Sequence, residues 1–155
     1  MTTIRRFRGR AAALLLILAV PAAAGENRGT AREARDMVAR AIAYYDEMGA
    51  SAAFAKFNHD PAPEFLDRDL YIFVGGRDEG MVAHAVDPSL LGVKYSSFVD
   101  ADGTRFGEEM REAVTPDGIR VDYKFRNPVT GKIERKSSWA VLHDGYVFGV
   151  GIYRP

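Results

Sequence analysis

The residues in this chain best suited to chemistry are one histidine, one lysine and a few hydroxyl-bearing rings. His84 ends an otherwise apolar run, residues 81–84 (MVAH), just before Asp87-Pro88 breaks it. A titratable ring on a largely buried strand must be hydrogen-bonded within the core or must meet a ligand. Lys136 precedes an apolar stretch, Trp139, Ala140, Val141 and Leu142. It also belongs to a charge cluster with Lys132 and Arg135, which by itself reads as a solvated face. Tyr71 and Tyr123 carry phenolic hydroxyls that can donate a hydrogen bond.

Other chemistries fit poorly. The chain has no cysteine, which excludes disulfides, thiolate catalysis and cysteine-ligated metals. His59, His84 and His143 are scattered, with no H-E-x-x-H spacing for zinc. Asp100, Asp102, Gly103 and Glu109 match positions of a calcium loop, but Phe98 would stand at its first ligand position and has no oxygen. A turn is the better reading of that stretch. Gly149-Val150-Gly151 lacks the third glycine and the strand-turn-helix setting of a dinucleotide site. No G-x-S-x-G occurs, and no nucleophile accompanies His84 as a general base.

These side chains need elements to hold them. Residues 70–74 (LYIFV) and 81–84 read as two strands of a hairpin turned by Gly75-Gly76 and Asp78-Glu79-Gly80. Upstream, Thr30 and Glu33 form a capping box. Ala34, Met37, Val38, Ala41, Tyr44, Tyr45 and Met48 follow at helical spacing, and Gly49 ends the helix. Ser51 is placed to cap a second helix through Phe57. Residues 87–102 are irregular, with one helical turn before Gly92; a loop this long in a small domain often covers a site. A short helix is expected over residues 106–114. Ile119, Val121, Tyr123 and Phe125 then alternate with charged residues, which marks a strand with one apolar face. Residues 132–142 and 146–153 supply two more strands. The sum is an α+β plan of about five antiparallel strands preceded by helices.

The two ends of the composition differ. Basic and acidic residues both number 21 in 155 residues, but Arg5, Arg6, Arg8 and Arg10 crowd the first ten positions. The remainder is mildly acidic, a poor match for nucleic acid. An apolar run over residues 11–20 follows the arginines, then Pro21-Ala22-Ala23-Ala24. That is the layout of an export signal, with cleavage expected after Ala24. The run is shorter than the roughly 18 residues that span a bilayer. The expected organisation is therefore a signal over residues 1–24 and one periplasmic domain over residues 25–155, off the membrane once cleaved.

Several segments in order resemble the single Cache domain family: residues 69–74 (DLYIFV), 80–84 (GMVAH), Leu91-Gly92, 100–103 (DADG), 121–123 (VDY), 127–132 (NPVTGK), 136–138 (KSS) and 149–153 (GVGIY). The resemblance implies a PAS-like five-stranded antiparallel sheet with a long N-terminal helix on one face. A ligand pocket would lie on the other face, under the irregular loop. Members resembling this chain bind small organic acids such as acetate, propionate, pyruvate or lactate, usually as the sensing part of a chemoreceptor or kinase. Two positions depart from the family pattern. Ala85 follows the histidine where proline is usual, and Trp139 stands three residues after the lysine where tyrosine is usual. No kinase or methyl-accepting segment follows Pro155, so a free-standing sensor domain is expected.

On this resemblance the ligand-binding residues are Tyr71, Phe73, His84, Tyr95, Tyr123, Lys136 and Trp139. Lys136 and His84 would neutralise and orient a carboxylate, Tyr71 and Tyr123 would complete its hydrogen bonds, and Phe73 and Tyr95 would form apolar wall. No cofactor, no metal and no turnover are expected. Signalling would pass through a homodimer across the long helix or through an unidentified envelope partner. The competing reading is a structural or interaction module that keeps the fold without binding a ligand.

Overall fold

The computed structural model describes residues 28–154. The expected signal, residues 1–24, lies outside them. Among the described residues no helix is long and apolar enough to cross a membrane.

Helix α1 spans Ala31–Met48. Its capping box is formed: Glu33 N donates to Thr30 Oγ1 at 3.3 Å, and Thr30 N donates to Glu33 Oε2 at 2.7 Å. Ala34, Met37, Val38, Ala41 and Tyr45 make the buried stripe. Met48, expected to extend it, is the last residue of the helix and is 49% exposed. Gly49 adopts φ 79°, a left-handed conformation that suits glycine, and turns the chain directly into α2, Ala50–His59. That turn replaces the side-chain cap expected from Ser51, which falls inside α2 instead.

Six strands follow: β1 (Leu66–Asp67), β2 (Leu70–Gly76), β3 (Gly80–His84), β4 (Ile119–Arg126), β5 (Ile133–His143) and β6 (Tyr146–Arg154). All pairings are antiparallel. The five long strands run β3-β2-β6-β5-β4, and two-residue β1 pairs with the start of β2. The last strand thus lies beside the first long one, so the sheet forms only when segments about 70 residues apart meet.

The sheet divides two cores. On one face α1 and α2 pack against Leu70, Ile72, Val74, Phe148, Val150 and Ile152. On the other, Tyr71, Phe73, Tyr123 and Tyr153 pack against Tyr95, Phe98, Phe106 and Met110. These last four come from the segment between β3 and β4, which holds two 3-10 turns (Pro88–Leu90 and Tyr95–Ser97) and α3, Phe106–Ala113. Both faces of β2 are covered, and every residue in it is buried.

Candidate functional site

Strand alternation brings one set of side chains to the face away from α1. Tyr71 and Phe73 come from β2, Tyr123 and Phe125 from β4, Lys136 and Ser138 from β5, and Tyr153 from β6. Two glycines of β6 make room for them. A Cβ on Gly151 would collide with Lys136 Cε, and one on Gly149 with the Phe73 ring.

Lys136 is 2% exposed. Its Nζ donates to Tyr71 OH at 2.6 Å. It lies 4.0 Å from the Tyr71 ring centroid, 5.1 Å from Tyr153, 5.2 Å from Phe125, 5.4 Å from Phe73 and 5.9 Å from Tyr123. Among the described residues no carboxylate forms a salt bridge with it; the field of Asp69 reaches it and favours the charge. Burial opposes the charge more strongly and holds the amine well below the usual lysine value. Each ring face favours a desolvated ammonium by about 2 kcal/mol or more, against several kcal/mol for the desolvation itself.

The hydroxyls around this amine have a fixed direction. Tyr153 OH donates to the Arg126 carbonyl at 2.7 Å. Its single hydrogen is then committed, so at the 2.9 Å contact with Tyr71 it accepts. Tyr71 therefore donates to Tyr153 and accepts from Lys136. The expected role of Tyr71 as donor to a ligand does not fit this arrangement: its hydrogen points into the protein. Tyr153, absent from the expected site, fixes that direction. Its parity with Gly149 and Gly151 on β6 is the signal that could have found it.

His84 is 4% exposed. Its Nδ1 accepts from the Asp87 backbone N at 3.0 Å, so the neutral ring carries its hydrogen on Nε2. The strand end beneath it is held by Asn58 of α2, which accepts from His84 N at 2.9 Å and donates to the Val82 carbonyl at 3.1 Å. Burial, then the nearby Lys136 amine, push the imidazole down to about 3, with Asp87 opposing. At neutral pH His84 is an uncharged donor through Nε2.

Tyr123 OH pairs with Ser138 Oγ at 2.8 Å, and its ring stacks on Phe106 with centroids 3.9 Å apart. Tyr95 is 3% exposed, and its hydroxyl is buried without a hydrogen-bond partner among the described residues. An unpaired buried hydroxyl costs on the order of 1–3 kcal/mol. Phe73 is among the residues that line the hollow. Trp139 does not join the group. Three residues beyond Lys136, alternation turns it to the α1 face, where the Arg35 guanidinium lies 4.1 Å above its ring. Its indole donor is not available to the hollow.

Phe73, His84, Tyr95, Phe98, Phe106, Met110, Tyr123, Phe125 and Lys136 are among the residues lining a cavity of 20 Å³. One water needs roughly 10–15 Å³ in the same measure. The hollow as folded admits about one water, so an acid could enter only if the covering segment moved outward. Among the described residues no three ligating side chains gather for a metal. The oxygens of Asp100 serve the backbone instead, accepting from Asp102 N, Thr104 N and Lys124 N, each at 2.9 Å.

Several solved structures share this fold. A methyl-accepting chemotaxis protein from Vibrio parahaemolyticus RIMD 2210633 matches with a TM-score of 0.66 at 19% identity, over 79% of this chain and 86% of that one. A Cache chemosensory domain described for its carboxylic acid recognition matches with a TM-score of 0.60 at 21% identity, over 80% and 88%. The periplasmic sensor domain of a chemotaxis protein matches with a TM-score of 0.57 at 23% identity, over 80% and 90%. None of the curated proteins matches the chain. The family model described as Single Cache domain 2 matches residues 12–153, nearly the whole chain, so this protein belongs to the single Cache domain family of sensor modules.

Proposed function

We propose that this domain is a periplasmic sensor that binds a small monocarboxylic acid of two to four carbons, non-covalently and without turnover. The observation that carries the reading is Lys136, a lysine 2% exposed with no carboxylate in salt-bridge range among the described residues. A buried amine without a counter-ion is costly, and an incoming carboxylate relieves that cost. His84 supplies a second donor through Nε2, and Tyr95 supplies an unpaired hydroxyl. The rest of the lining is aromatic or aliphatic and suits a short alkyl tail. Among the described lining residues Lys136 is the one amine, which favours one carboxylate over two. The structural likeness to a Cache domain with carboxylic acid recognition supports the same class.

The 20 Å³ cavity favours a second reading, in which the fold persists as an interaction module with its hollow filled by its own side chains. A thermal-shift screen against acetate, propionate, pyruvate and lactate separates the two, because a ligand of the native state raises the melting temperature by mass action. A dose-dependent rise with at least one acid is expected. No rise with any acid at millimolar concentration supports the module.

A further inference from the structure

We infer that the ligand and a proton enter together: Lys136 is an uncharged amine while the hollow is closed and becomes the ammonium partner of the bound carboxylate. This rests on the proposed binding of a small acid. The geometry around Nζ carries the step. One N–H is given to Tyr71, whose own hydrogen is fixed toward Tyr153 and the Arg126 carbonyl. No other acceptor is hydrogen-bonded to the amine among the described residues, so two further N–H groups of an ammonium would point into aromatic wall. A neutral amine has one fewer N–H to satisfy and no charge to solvate.

The titratable groups around it do not supply the missing anion. From β2 comes Tyr71, with Asp69 at the strand's start acting only through its field. From β3 comes His84, uncharged and a donor through Nε2. From β4 and β6 come Tyr123 and Tyr153, both held as phenols by burial. Tyr95 is a buried phenol, and the Asp87 carboxylate is turned to Ser89. Helix α3 presents Phe106 and Met110, which do not titrate.

The balance is simple. Carboxylate, amine and one solvent proton give one ammonium–carboxylate pair; no covalent bond forms or breaks except N–H. Equivalently, the neutral acid enters and hands its proton to Nζ. Binding should therefore take up one proton per molecule above neutral pH, and the dissociation constant should rise about tenfold per pH unit.

Calorimetric titration of the full chain with propionate at pH 7.5, in phosphate and in Tris, reads the proton directly. The observed enthalpy should vary with the buffer's ionisation enthalpy with a slope of about one proton taken up. The Lys136 ¹³Cε resonance should move from the amine to the ammonium range on saturation, a readout that needs no variant. Heat of binding with a slope near zero, or a resonance already in the ammonium range before ligand, overturns the inference and leaves the proposed ligand class standing. No binding of propionate, acetate, pyruvate or lactate overturns both.

Discussion

Lys136 is at once the costliest and the most informative residue of the fold. Replacing a buried ion pair by well-packed apolar side chains of similar volume is often neutral or stabilising by about 1–4 kcal/mol, and a lone buried amine carries the desolvation cost without the compensating partner. Lys136→Met should therefore raise the unfolding free energy in urea while abolishing the acid-induced thermal shift. A destabilised variant would mean that the amine holds the sheet together rather than waiting for a ligand. The same burial sets a pH dependence. The folded Lys136 value lies well below 10.5 and that of His84, at about 3, lies below 6.5. In both cases the unfolded chain binds more protons, so stability rises with pH across each window. For His84 the gain is complete above about pH 6.5 and is lost as pH falls toward 3. For Lys136 stability should keep rising up to about pH 10.5, and Lys136→Met should flatten that alkaline limb of the urea titration.

Among the elements, β6 sets the room in which the site exists. Gly151→Ala places a methyl group against Lys136 Cε and Ser138 Oγ. Overpacking of this kind costs about 1–3 kcal/mol, and the displaced lysine should no longer answer to acid. Trp139→Phe, on the opposite face beneath Arg35, should cost stability yet leave the acid response intact. A lost response in that variant would contradict the side assigned to Trp139. Alternation made β4 readable from sequence, and aromatic and β-branched content made β2 readable; Tyr71, Phe73, Tyr123 and Lys136 came together only through the family resemblance, because the charge cluster around Lys136 by itself reads as a solvated face. For Trp139 the family pattern of an aromatic three residues after the lysine conflicts with strand parity, and parity decides its face. The direction of the Tyr71 hydrogen was not legible, since it depends on the Arg126 carbonyl, which reaches Tyr71 only through Tyr153 of another strand. Asn58, the penultimate residue of α2, pins the backbone of His84, a long-range contact that nothing in its local sequence signals. The near-closure of the hollow is equally hidden, because packing volume is set by rotamers from four strands, two 3-10 turns and α3 at once.

At the scale of the molecule, the domain is a helix-backed sheet and a segment that covers its other face. The helix-backed sheet has two buried faces and long-range pairing between β2 and β6. The segment from Pro88 to α3 contributes single turns and one short helix, and several of its backbone groups bond only within it. Local opening favours such regions. Amide exchange should be faster across residues 88–113 than in β2 and β6, and propionate should slow it there first. Uniform exchange across both halves would contradict a moving cover. The most direct test of the account is a crystal structure of the chain grown with saturating propionate. The expected result is a carboxylate within hydrogen-bond distance of both Lys136 Nζ and His84 Nε2, with Phe106 and Met110 displaced outward. A hollow still closed at saturation, or the acid bound elsewhere, would contradict it.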